Sequence, residues 1–117
     1  MAKMQLDQLG EPIESLIARV VVRRLLLAGY SIEIQNGEET TLKASRDYRK
    51  ILSAMATTDD EHLIVRKPKT QASFVTFYYG NGEDLIHDFG VTLSPIMDSI
   101  NAEMVWDIAR AAMDKEL

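Results

Sequence analysis

The stretch HLIVRKPKTQASFVTFYYGNGEDLIHDF, residues 62–89, decides how this chain is read. HLIVRK and QASFVTFYY alternate in polarity and are rich in β-branched and aromatic residues, which suit a pleated, half-buried surface. A loop containing Pro68 separates them. Gly80-Asn81-Gly82 then supplies residues that tolerate positive φ, as a hairpin connection requires, ahead of a third strand, DLIHDF. Three consecutive strands joined by short turns predict an antiparallel meander.

Working outward, the polar run TTDDE ends a short helix expected over residues 46–55, with Ser45 as its N-cap. Tyr48, Ile51, Leu52 and Met55 recur there at i, i+3, i+4 and i+7, an amphipathic stripe. Before it, YSIEIQNGEETTLKAS reads as a hairpin around Asn36-Gly37. A three-residue loop, 36–38, would set Ile32 opposite Leu42 and Ile34 opposite Thr40, gathering apolar groups on one face. The first helix opens at Pro12 and stops at Gly29. Ile13, Leu16, Val20 and Leu27 share one side of it, while Val22, Leu25 and Leu26 fall elsewhere. A helix apolar around most of its circumference is expected to be covered on more than one side. Arg24 lies within the main apolar arc, so it should reach outward or find a partner. At the other end, Ser94-Pro95 reads as N-cap and first helical residue of a helix running nearly to the end of the chain. The order is α-β-β-α-β-β-β-α, with about five mostly antiparallel strands. Residues 1–117 are therefore expected to form a single two-layer α+β domain.

With 46% hydrophobic residues the chain can build a core, and with no cysteine it has neither disulfides nor thiol chemistry. The opening MAKMQLDQLGEP lacks the apolar run of a signal peptide. The apolar stretch IARVVVRRLLLAG is interrupted by three arginines and is too short to span a bilayer. A soluble, unanchored, cytoplasmic protein is expected. Net charge is −5, unevenly spread: residues 1–30 are net +1, residues 31–70 balance, and residues 71–117 are net −6. An acidic C-terminal third disfavours direct nucleic-acid binding and suits a basic protein surface.

Candidate chemistry is sparse. GNG lacks both the Walker ending and the dinucleotide spacing, and Glu83 and Asp84 behind it would repel phosphate. Simple alternation sets Leu85, His87 and Phe89 on one face of the last strand and Ile86 and Asp88 on the other. His87 is then a packed or interface histidine, and a whole strand separates it from His62, so a shared metal ion is not expected. Asp59, Asp60 and Glu61 lack EF-hand spacing and read as a solvated turn. No nucleophile elbow frames the serines. Neither a catalytic group nor a metal or cofactor site is predicted.

The last helix carries more information. Leu93, Ile96, Met97, Ile100, Met104, Ile108 and Ala111 gather on one arc, the predicted core side. Opposite them lie Ala102, Trp106, Ala109 and Met113, flanked by the acidic groups Glu103, Asp107 and Asp114. Aromatic and Met side chains among small residues are what contact surfaces are made of. Two readings of this stripe stand: packing against the first helix of the same chain, or an interface with a partner. The second leads to a twofold homodimer through the first and last helices.

The run YYGNGEDLIHDFGVTLSPIM also resembles a pattern in small uncharacterised proteins of proteobacterial phages and prophages. The matching positions are Tyr79, Gly80, Asn81, Asp84, Ile86, Asp88, Phe89, Leu93 and Pro95, within a similarity over residues 46–97. The resemblance implies a mobile-element context and carries no catalytic role with it. Together these readings lead to a non-enzymatic protein-binding accessory factor that blocks a host protein through an acidic and apolar surface. The alternative is a small enzyme using His87 with carboxylates from neighbouring strands.

Overall fold

A computed structural model describes residues 12–37, 39–55, 60–80 and 85–100, with side chains from Glu14 onward. Among these, helix α1 (Pro12–Leu27) leads into strands β1 (Ser31–Asn36) and β2 (Glu39–Ser45), and α2 (Tyr48–Ala54) follows. Strands β3 (Asp60–Arg66), β4 (Ser73–Tyr78) and β5 (Ile86–Phe89) come next, and a 3-10 turn (Val91–Leu93) runs into the short α3 (Ser94–Met97). The five strands form one sheet in the order β2-β1-β3-β4-β5, and every pairing is antiparallel. The predicted α+β architecture and meander are therefore the ones observed. Strand β1 sits between β2 and β3, so α2 carries the chain from one edge of the sheet across to its middle.

One face of the sheet is the floor of the core. Ile32, Ile34, Leu63, Val65, Val75 and Phe77 point to it from three strands and are fully buried. The helices close it from above: Ile17, Ala18, Val21, Val22 and Leu25 from α1, and Ile51 and Met55 from the α2 segment. Leu93, Met97 and Ile100 seal the end after β5, but among the described residues the helix expected to run on from Ser94 ends at Met97 and gives way to a turn, so the three do not share one helical arc.

Local details depart from the sequence expectation in three places. The hairpin pairs Asn36 with Glu39 and Gln35 with Thr40, then slips twice, so that Ile34 meets Leu42 and Ile32 meets Ser45. Each slip is an extra residue on β2, a bulge that periodicity cannot locate. Helix α2 is capped by Asp47, whose carboxylate accepts the Lys50 N–H at 3.2 Å, while Ser45 Oγ accepts the Asp47 N–H. Ser45 thus braces the turn before the cap. At α3 the cap falls on Leu93 and the proline sits in the first turn, one residue further along than expected.

The end of α1 is held more firmly than its sequence suggests. Gly29, at φ +98°, allows Tyr30 N–H to reach Leu25 O and Gly29 N–H to reach Leu26 O, a double closure of the helix end. The Arg46 guanidinium then donates to Tyr30 O at 2.7 Å and to Leu26 O at 3.0 Å. A cation on the carbonyl end of a helix is favourable on both hydrogen-bond and dipole grounds. It also fixes the start of α2 against the end of α1.

Candidate functional site

A second side of α1 carries Leu16, Arg19, Val20, Arg23, Arg24 and Leu27, at i, i+3, i+4, i+7, i+8 and i+11, with Leu16 and Val20 half-buried at the margin of the core. That spacing makes one continuous stripe along three turns of helix. With Tyr48, the first residue of α2, these side chains line an open groove of about 320 Å³. Leu27 is 79% exposed, whereas Leu25, two residues earlier and about 200° around the helix, is fully buried. Of the two apolar sides legible in the helix, the Val21–Leu25 side is the core. The Leu16–Leu27 side, into which the sequence placed Arg24, is half-buried along most of its length and exposed at Arg23 and Leu27.

Arg23 and Arg24 are each held by a neighbouring element. The Arg23 guanidinium lies over the Tyr48 ring, 5.0 Å from its centroid, a cation–π contact that joins α1 to α2. Arg24 Nη1 donates to Ser99 Oγ at 3.0 Å, and that hydroxyl donates on to Ile96 O at 2.6 Å. Arg24 therefore has the partner its place in the apolar arc demanded. Planar guanidinium groups bind carboxylates in a forked geometry, and here they alternate with leucine and valine. The combination suits an acidic, amphipathic protein segment better than a phosphate backbone, which would be tracked by cations without an apolar wall.

The opposite surface of the molecule is the outer face of the sheet. There Tyr78 and His87 stack with ring centroids 4.0 Å apart and planes within 8°. Between them and the rest of the face runs a polar row, Gln35, His62, Thr76 and Asp88, register partners across four strands. His62 Nδ1 and Thr76 Oγ1 are 2.9 Å apart. The expected alternation in β5 does not hold: Thr76 faces Asp88 but Phe77 faces Ile86, so one residue is inserted at His87. The bulge turns both His87 and Asp88 outward and leaves Ile86 and Phe89 half-buried. His87 is thus an exposed, stacked histidine beside an aspartate, instead of one packed between Leu85 and Phe89. His62 and His87 lie on strands either side of β4, as the meander implied. Among the described residues no group of three or more acidic or histidine side chains is placed to hold a metal ion.

Two carboxylates lie where the sequence reading did not put them: Glu14 was not singled out, and Glu61, expected in a solvated turn with Asp59 and Asp60, is a buried residue of β3. Glu14 and Glu61 are 1% and 0% exposed. Glu14 Oε2 accepts the Gly80 N–H at 2.7 Å, and Glu61 Oε1 accepts the Tyr79 hydroxyl at 2.7 Å. The first turn of α1 and the first turn of β3 are in this way pinned to adjacent residues of the β4–β5 connection. Buried carboxylates are costly unless hydrogen-bonded, and charge-assisted bonds of this length meet that cost. A signal for Glu61 was present: it alternates with Leu63 and Val65, which puts it on the core side of β3 and out of the acidic turn. Glu14 carried the helical counterpart of that signal, since it precedes Ile17, Ala18, Val21 and Leu25 by three, four, seven and eleven residues and so shares their face.

The stripe Ala102, Trp106, Ala109 and Met113 and its acidic neighbours Glu103, Asp107 and Asp114 lie outside the described residues. The chain is last described at Ile100, which is buried, one residue beyond the Ser99 that Arg24 holds. No helix among the described residues is long and apolar enough to cross a membrane. Compared with protein-family models, with curated proteins and with solved structures, this chain finds no match.

Proposed function

We propose that this chain is a non-enzymatic, cytoplasmic, protein-binding accessory factor of a phage or prophage, working as a homodimer and able to block a host protein. The observation that carries the reading is the groove on α1: three arginines interleaved with the half-buried Leu16 and Val20 and ending at the exposed Leu27. The acidic C-terminal third of the sequence, in which Trp106 lies, adds charge of complementary sign. The phage or prophage context rests on the resemblance of residues 46–97.

The alternative, a small enzyme, draws support from the bulge that sets His87 beside Asp88 on one face. Its weakness is that the pair stands on an open sheet surface, whereas proton transfer needs a substrate held in a concavity. The two readings separate in a pull-down from a proteobacterial host lysate using wild type, Leu27→Asp and His87→Ala. A protein-binding factor retains a protein that also binds wild type when purified, loses it with Leu27→Asp and keeps it with His87→Ala. Recovery of nothing except the chain itself, together with a turnover abolished by His87→Ala, would establish the enzyme instead.

A further inference from the structure

We infer that the end of the sheet at which α1 stops is a sequence-independent binding surface for the phosphate backbone of a nucleic acid. The inference goes beyond the reading of α1 as a protein contact and uses other residues. Five cations carry it, and in the sequence they fall in two separate groups: Arg46, Arg49 and Lys50, then Lys67 and Lys69. The fold joins the groups at Tyr30. Arg46 Nη1 donates to Tyr30 O at 2.7 Å, and Lys67 Nζ lies 4.8 Å from the centroid of the Tyr30 ring. Arg49 and Lys50 follow Arg46 in the first turn of α2. Lys69 stands in the β3–β4 turn, which Thr70 closes by donating both its N–H and its hydroxyl to Lys67 O.

These charges are not neutralised within the described chain. Arg66, next to Lys67, pairs with Glu33 at 3.2 Å, whereas none of the five forms an ion pair among the described residues. Arg46 gives its hydrogen bonds to two neutral carbonyls, and Lys67 faces a ring. The acid among them, Asp47, is engaged in capping α2. Two of the placements are also locally unfavourable. Arg49 and Lys50 occupy the first turn of a helix, where the backbone dipole prefers acids. Lys69 adopts φ +67°, a conformation that a residue with a side chain rarely takes. Departures from local preference that no internal ion pair offsets collect at functional surfaces.

The net charge of −5 speaks against a polyanion only if it is felt at this end. Among the described residues, the exposed acids Glu39 and Asp60 stand at the far end of the strands. The seven residues of β3 from Asp60 to Arg66 span about 20 Å, more than twice the screening length of about 8 Å at physiological salt. The class of anion follows from what surrounds the cations. Residues 46–50 and 67–71 offer no exposed large apolar side chain to anchor a protein. Tyr30 is buried and Tyr48 lies under Arg23, so no ring is open to stack a base. Cations without an apolar wall or an aromatic platform suit phosphates, and give no means of reading sequence.

Fluorescence anisotropy of a labelled DNA duplex of about 20 base pairs, with the full chain, tests this. Binding should appear at about 50 mM salt, weaken with a log–log salt slope of about −4, and be equal for a second duplex of different sequence. Lys67→Glu/Lys69→Glu and Arg49→Glu/Lys50→Glu should each weaken binding at least about tenfold and flatten the slope by about two. Far-UV circular dichroism establishes that they fold, and either pair suffices should the other not. Glu39→Lys, at the far end, should change affinity by less than about threefold. Absence of binding at low salt would overturn the inference, as would reversals without effect or a Glu39→Lys gain as large as their loss. Labelled poly-L-glutamate retained in place of the duplex, and released by the same reversals, would make the partner a carboxylate-bearing protein and overturn it too. None of these results bears on the α1 contact, which Leu27→Asp tests separately.

Discussion

The two sides of α1 are equally apolar on paper and differ sharply in what surrounds them. The inner side, Val21, Val22 and Leu25, is sealed against β-strand residues from the middle of the sheet, and the one charged group on that face, Glu14, is itself buried and accepts the Gly80 N–H. The outer side sets Leu16, Val20 and Leu27 among three arginines and a tyrosine. Apolar content therefore does not distinguish a core face from a contact face in a helix this hydrophobic. The distinction lies in the charges interleaved with it, because a guanidinium can be accommodated at a surface that is covered intermittently, and only at high cost in a permanent core.

Substitutions on the two sides should separate accordingly. Leu25→Ala removes a fully buried side chain between α1 and the sheet, and should cost about 2–5 kcal/mol in urea or thermal unfolding. A loss under 1 kcal/mol would mean that the inner side is not the packed one. Glu14→Ala leaves the Gly80 N–H without its carboxylate in a buried setting and should cost about 1–3 kcal/mol. Glu14→Gln keeps an acceptor and should recover most of that stability. Equal losses for the two variants would show that the carboxylate charge matters more than the hydrogen bond.

The smaller effects sharpen the comparison. His87→Ala breaks an exposed ring stack and should cost under about 1 kcal/mol, with self-association unchanged. Any loss of association in that variant would move the interface to the outer sheet face. Leu27→Asp should change stability by no more than about 0.5 kcal/mol, since the residue is largely exposed, while abolishing self-association. A large drop in melting temperature would return Leu27 to the core.

Much of this architecture was legible before any coordinates. Alternation in HLIVRK and SFVTFY located β3 and β4, and Gly29 located the end of α1, because both signals are local and steric. The bulges were not legible. At His87 and within β2 the extra residue is set by how a strand must bend to keep its apolar partners aligned across the sheet, a property of the pair and not of either strand. The same limit applies to α1. Periodicity showed two apolar sides, yet nothing local says which one meets the sheet; only the presence of Arg23 and Arg24 near one of them hinted at the answer. Glu61 was misplaced for the opposite reason. Its acidic neighbours suggested a turn, and the stronger evidence, its step of two from Leu63 and Val65, was outweighed.

The single tryptophan allows the central claim, that the chain self-associates through the Leu27 side of α1, to be tested with one probe. Trp106 is the only indole in the chain, so its emission maximum reports that residue alone. If self-association through this side of α1 covers Trp106, emission should move to longer wavelength as the protein is diluted through its dissociation range. Leu27→Asp should then show the long-wavelength spectrum at every concentration. A wild-type maximum that stays at short wavelength on dilution and is matched by Leu27→Asp would place Trp106 inside its own chain and contradict the account.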